Sequence, residues 1–379
     1  MARCEKVKMT IMVFRATIPF QILDVVKAMD SKIEDLPANL LDLLQHEKIK
    51  PSDLQALWGK TTSLEKITKT LKDNKDLDPD IIVPIQIHME FLKAHLVPGT
   101  FSWTENEPAY KSWVSGHKTP VIYVSGATGT GKTFFSYRCF MSIQEQAKKN
   151  RLEGGKNNPR QTTIVTYFPF EPGRRDSQSF RNVLAYILVQ IADNDSKLGD
   201  SIAKDLAASK IAKEEDSKKK LDFMWEKLLV KKFEKTPDTS RVIYIILDGV
   251  ELMDGPDRQA MLGLFQTLNS DKDGIRILMT GPPDEDIYGP IAQYTDCPKI
   301  DLFEKTRSSS DFAKLIDSHF SQSEMLKSFK DSTKEIIKSR LLDSPESKSN
   351  PVISIPLPRI IQSEALFFWQ CDFSSLVPN

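Results

Sequence analysis

Hydrophobic residues follow different rhythms in different parts of the chain. Up to about Val97 they recur at helical spacing. Leu64, Ile67 and Leu71 form one stripe behind a capping box of Thr62 and Glu65, and Ile85, Met89, Leu92 and Leu96 form another. Pro51, Pro79 and Pro84 divide this region into short helices, and Pro98-Gly99 ends it. After Gly99 the segments Val121–Ser125, Thr162–Phe168, Val242–Leu247 and Ile275–Thr280 are short, β-branched and apolar, with helical patterns between them. That alternation predicts a parallel sheet flanked by helices. The clearest helical pattern runs through Phe180, Val183, Leu184, Ile187, Leu188 and Ile191. A second, with Leu221, Met224, Trp225, Leu228 and Phe233, precedes the strongest strand. Beyond Asp301 the strand pattern stops, and 311–320 and 331–342 read as two modest helices. From Pro345 Ser, Pro and Lys dominate until the apolar patch Ala365–Trp369, and no periodicity is assignable. The expected division is a helical N-terminal region over 1–98, an α/β domain over 99–300, a helical appendage over 301–345 and a poorly ordered tail over 346–379.

Charge and composition narrow the function without defining it. Lys+Arg and Asp+Glu both total 52, so no net field draws the chain to nucleic acid or to an anionic membrane. The lysines between Lys210 and Lys220 alternate with Glu214, Glu215 and Asp216, as on a solvated face. Cys4, Cys139, Cys297 and Cys371 have neither C-x-x-C pairing nor metal-ligand spacing with histidine, which fits a reducing compartment. The apolar run near the N-terminus is broken by Arg15, and Val242–Leu247 is far shorter than the roughly 20 residues of a membrane helix. A cytoplasmic protein is expected.

The chemistry is carried by Gly126-Ala127-Thr128-Gly129-Thr130-Gly131-Lys132-Thr133, a match to G-x-x-x-x-G-K-[ST] placed after a predicted strand and before a helix. A chance match in a chain this long is on the order of one per cent, and the placement makes chance less plausible still. The residues expected to bind a triphosphate are Gly126, Thr128, Gly129, Thr130, Gly131, Lys132 and Thr133. Glycine lets the backbone turn its N–H groups inward, and the following helix adds the positive end of its dipole. Lys132 would reach the β and γ phosphates and act in catalysis, and Thr133 would give Mg²⁺ one hydroxyl oxygen. The second half of such a site is an acid at the end of a buried strand. Arg241–Asp248 supplies it, with Asp248 as the second metal-site residue. These motifs predict a P-loop NTPase fold binding ATP or ADP with Mg²⁺.

Glu251 stands where a D-x-x-G glycine would mark a GTPase, and no L-S-G-G-Q signature of a transporter ATPase is present. The order of blocks resembles the NACHT class of STAND NTPases, in particular the nephrocystin-like modules of fungal NLR-type receptors. The resemblance runs from Gly99 to about Leu342. It rests on Gly99-Thr100-Phe101-Ser102-Trp103 with Trp113, the P-loop, Thr166–Phe170 with the helix through Leu184 and Gln190, Ile246–Glu251, and Leu278–Pro282. It implies a nucleotide-driven signalling switch with self-association or signalling protein partners.

Two departures bear on hydrolysis. The acids that the family carries after Asp248 read Glu251 and Leu252 here, so catalysis falls to Glu251 or is slow or absent. The family's Ser/Thr-Arg-Pro reads Thr280-Gly281-Pro282, which removes a guanidinium and leaves Thr280 as a weak sensor of the γ-phosphate. A working ATPase relying on Glu251, and a nucleotide-free scaffold, are the alternatives. The winged-helix region and repeat array that the resemblance implies are not evident before Asn379. The unpatterned end favours a truncated product or an incorrect gene model over a short family member.

Overall fold

The computed structural model describes residues 66–71, 82–116, 120–153, 162–171, 179–209, 216–235, 241–269, 272–294, 297–308, 310–322 and 324–343. The predicted capping box, most of the N-terminal region and the tail with its apolar patch lie outside the described residues.

Among the described residues five strands form one parallel sheet: β1 (Val121–Ser125), β2 (Thr162–Pro169), β3 (Arg241–Asp248), β4 (Ile275–Gly281) and β5 (Lys299–Asp301), in the order β2-β3-β4-β1-β5. Nearly every residue of β1, β3 and β4 is buried, as a sheet covered on both faces requires. The sequence pattern stops at four strands. β5 was missed because it has three residues behind Pro298 and pairs only through Tyr123–Ser125 of β1.

The helices, in chain order, are α1 (Ile82–His95), α2 (Pro108–Ser115), α3 (Lys132–Glu153), α4 (Phe180–Asn194), α5 (Ser196–Ala208), α6 (Ser217–Phe223), α7 (Gly255–Phe265), α8 (Glu285–Tyr294), α9 (Leu302–Ser308), α10 (Asp311–Gln322), α11 (Glu324–Lys327) and α12 (Asp331–Asp343). Residues 66–71 are also helical. The single helix expected from Leu221 to Phe233 is instead α6, then a π-helical turn over Met224–Leu229, then a 3₁₀ turn over Val230–Lys232. Met224, Trp225, Leu228 and Leu229 of the π turn are all buried in the core.

Strand alternation sorts side chains between two cores. On one face Ile122, Val124, Tyr167, Tyr244, Ile246 and Leu278 pack under α3. On the other Tyr123, Phe168, Ile245, Leu247 and Met279 pack against α4 and the π turn. β2 lies at the sheet edge, where its outward backbone groups need partners. Gln190 of α4 supplies them. Its Oε1 accepts the Tyr167 N–H at 3.0 Å and its amide donates to the Tyr167 carbonyl at 3.0 Å.

The two predicted C-terminal helices are present as α10 and α12, around a small core of Ile316, Phe320, Leu326 and Ile337. This appendage is pinned to the segment before α2. The buried carboxylate of Asp311 accepts the Phe101 N–H at 2.9 Å and the Trp103 indole N–H at 3.0 Å, and Lys314 donates to the Gly99 carbonyl at 2.6 Å. Phe101 has φ of 58°, in the left-handed region that a bulky residue rarely occupies. Phe101 and Trp103 both pack against Phe135 of α3, with ring centroids 5.6 and 5.5 Å away.

Candidate functional site

The phosphate loop leaves the C-terminal end of β1 and enters α3. Gly126 donates its N–H to the Gly281 carbonyl at 3.0 Å, so β1 and β4 stay paired up to the loop. Gly129 and Gly131 have φ of 86° and 88°, which an L side chain resists. Gly126 is constrained by space instead, since a Cβ there would collide with the Thr130 hydroxyl. Thr130 is buried, and both its hydroxyl and its N–H donate to the Ala127 carbonyl, at 2.9 and 3.2 Å. Its part is to shape the loop from within, whereas Thr128 is exposed. Lys132 folds over the loop and donates to the carbonyls of Gly126 at 2.7 Å and Ala127 at 3.2 Å. Burial lowers its pKa, while Glu251 and then Asp248 act in the opposite direction. The ammonium therefore stands between two acids and the loop. Cys139, one face further along α3, is a buried core residue whose thiol burial pushes far above its ordinary range.

Asp248 ends β3 and is 4% exposed. β4 lies between β3 and β1, so its Thr280 comes between the acid and the phosphate loop. The Thr280 hydroxyl donates to Asp248 Oδ1 at 2.6 Å and accepts the Gly249 N–H at 2.9 Å. Gly249, with φ of 84°, makes the turn that sends the chain into Glu251. Burial raises the Glu251 pKa; its own backbone N–H and Lys132 act against that, and Asp248 adds to it. Glu251 Oε2 is buried and has no hydrogen-bond partner. A carboxylate oxygen in that state needs a donor such as water. Leu252 is half-buried and packs on the apolar core, so it faces away from polar chemistry.

Sequence reasoning missed three residues of this site. Tyr167 of β2 is fully buried on the α3 face, one strand away and opposite Ile246. Its phenol lies 3.4 Å from the Ser136 hydroxyl, and Ser136 donates to the Thr133 carbonyl at 2.9 Å. Burial raises the Tyr167 pKa well above the ordinary value, and the neighbouring Asp248 charge raises it further. The third, Tyr123, explains Gly281. A Cβ at Gly281 would collide with the Tyr123 hydroxyl, which donates to the Pro282 carbonyl at 2.8 Å. The place from which an arginine would project is thus filled by a tyrosine of the neighbouring strand. The alternation of strand residues signals which face Tyr167 and Tyr123 take, but the sheet order that makes them neighbours of Asp248 and Gly281 is not visible in it.

The residues present fit Mg²⁺. One hydroxyl, on Thr133, and one carboxylate, on Asp248, suit an ion that keeps waters and takes phosphate oxygens as its other ligands. Among the described residues no three His, Cys, Asp or Glu converge on a common point, so a cage of protein ligands is not what this site offers. Among the same residues no helix is long and apolar enough to cross a membrane.

Residues 99–281 match the family model described as "Nephrocystin 3, N-terminal". Comparison with curated proteins gives no match. Among solved structures the chain is similar to one described as Drosophila ORC bound to DNA, at 13% identity and a TM-score of 0.41, over 72% of this chain and 63% of that one. It is also similar to C. elegans PCH-2, at 11% identity and a TM-score of 0.29, over 78% of this chain and 71% of that one. The chain thus spans less than two thirds of the ORC chain, and neither likeness is close enough to carry a functional argument. The loop between β1 and α3, the acid at the end of β3 and the matched family model agree: the chain has the α/β fold and phosphate loop of a P-loop NTPase.

Proposed function

We propose that the chain binds ATP or ADP with Mg²⁺ between the phosphate loop and Asp248, and works as a NACHT-type signalling switch that hydrolyses slowly through Glu251. The observation that carries this reading is the convergence of Lys132, Asp248 and Glu251 at the C-terminal ends of β1 and β3, with Glu251 Oε2 buried and unpartnered. Phosphate oxygens would draw Lys132 from the carbonyls of Gly126 and Ala127, and the amides of Gly129 and Gly131 would line the loop. Thr133 and Asp248 would hold Mg²⁺, which when bound supplies positive charge to the phosphates. Thr280, its hydroxyl already engaged by Asp248, would report the γ-phosphate only through that carboxylate. Glu251 would accept a proton from the attacking water. The absence of a second acid at Leu252 and of a guanidinium at Gly281 favours a long-lived bound state over rapid turnover. The partners of such a switch would be signalling proteins or further copies of the chain, as the resemblance implies.

A working ATPase is the second reading, favoured by the same unpartnered oxygen on Glu251. Phosphate release under saturating MgATP separates the two. Glu251→Ala should lower turnover about a hundredfold, the usual scale of a lost general base, and Leu252→Glu should raise it. Turnover that Glu251→Ala leaves unchanged would remove Glu251 from the mechanism. Parent turnover of about 10 per second, ordinary for an enzyme, would favour the ATPase reading over the switch.

A further inference from the structure

Two of the residues assigned to the metal site, Thr133 and Asp248, sit on different elements, and buried hydroxyls lie between them. Ser136, one turn along α3, donates to the Thr133 carbonyl at 2.9 Å. Its Oγ lies 3.4 Å from the Tyr167 phenol on β2. Tyr167 projects from the face of β2 that also carries Asp248 on β3, since Tyr167 pairs with Ile246 and Asp248 lies two residues further along the same face. On its other side Asp248 is held by Thr280 at 2.6 Å. Ser136, Tyr167 and Thr280 are each fully buried and Asp248 is 4% exposed, so water does not compete for these groups.

We propose that Tyr167, through Ser136 on one side and Asp248 on the other, is a positioning residue that fixes the spacing between Thr133 and Asp248 and so sets how strongly Mg²⁺ supports nucleotide binding. This rests on the reading of the site as a Mg-nucleotide site. The phenol has one proton, with the Ser136 oxygen 3.4 Å away and the Asp248 carboxylate near enough to push its pKa up. Given to the carboxylate, that proton holds one side of Asp248 while Thr280 holds Oδ1. Given to Ser136, it ties β2 to the first turn of α3. In both arrangements the hydroxyl, not the ring, carries the function. Gln190 fixes the backbone of the same residue through two hydrogen bonds, so Tyr167 has little freedom to swing away. Groups that orient a metal ligand in this way commonly contribute 10- to 100-fold to metal affinity.

The test is calorimetric titration of the full chain with ATP, with Mg²⁺ and with a chelator, for the parent, Tyr167→Phe and Ser136→Ala. Phenylalanine keeps the ring among Tyr137, Phe140 and Ile246, so the fold is retained, and thermal unfolding of each variant verifies that. The readout is the ratio of ATP affinity with Mg²⁺ to affinity without it, which a loss of packing alone would not move. The expected result is a ratio at least tenfold smaller in Tyr167→Phe, with a smaller fall in Ser136→Ala. An unchanged ratio in Tyr167→Phe overturns the proposal. A parent that binds no nucleotide under either condition overturns the underlying reading of the site and this inference with it.

Discussion

Thr280 donates its hydroxyl proton to Asp248 Oδ1 across 2.6 Å and accepts the Gly249 N–H at 2.9 Å, so one side chain on β4 fixes both the acid at the end of β3 and the turn that follows it. Thr280→Val keeps the volume and removes both bonds, leaving a buried carboxylate oxygen and a half-buried N–H unpaired. Such losses cost about 1–3 kcal/mol. Urea unfolding should show that destabilisation for Val and much less for Thr280→Ser, which retains the hydroxyl.

Gly281 has no room for a side chain while Tyr123 stands beside it. Gly281→Ala should destabilise the chain by about 1–3 kcal/mol, the usual cost of overpacking, and Gly281→Arg should not restore sensing of the phosphate on its own. Tyr123→Phe removes the colliding oxygen. A double-mutant cycle by chemical denaturation should therefore show the Ala penalty reduced in the Phe background, and additive penalties would contradict the assigned contact.

Asp311 joins the appendage to the segment before the sheet by accepting from Phe101 and Trp103. Asp311→Ala leaves two donors unsatisfied, a cost of about 1–3 kcal/mol for each buried group, and frees Phe101 from a strained conformation. Hydrogen exchange should speed up in α10 and at Phe101 and Trp103 while β3 stays protected. Uniform protection throughout would count against the clamp.

Glu251 has a pKa raised first of all by burial. A raised carboxyl pKa means that the folded state holds the proton more tightly than the unfolded chain. The stabilising effect is complete below the ordinary carboxylate range and is lost as pH rises through the folded-state value. Above the ordinary carboxylate range the partly buried carboxyl group is therefore a burden. Glu251→Gln should raise the thermal midpoint at pH 7, with the gain disappearing under acid conditions. A gain that persists unchanged at acid pH would contradict the sign of the shift.

The phosphate loop, Asp248 and the parallel character of the sheet were legible in the sequence because each is local: a spacing of glycines, a run of β-branched residues ending in an acid, an alternation of strand and helix. Asp311 was not, because its partners Phe101 and Trp103 lie about 210 positions earlier in the chain. Tyr167, and the bond of Thr280 to Asp248, are similar cases. Their strands were predicted, but that β4 lies between β1 and β3, and that Tyr167 shares a face with Asp248, depend on sheet order. β5 escaped because three residues carry too little pattern. The π turn escaped because apolar residues at 224, 225, 228 and 229 are compatible with an ordinary helix until their packing is known.

The most direct test of the account is titration calorimetry of the full chain with MgATP and MgADP, set beside Lys132→Ala. The ammonium that folds over Gly126 and Ala127 should turn to the phosphates, giving one saturable site in the parent and at least a tenfold loss of affinity in the variant. Absence of heat from the nucleotide-free parent protein, or equal binding by parent and Lys132→Ala, would contradict it.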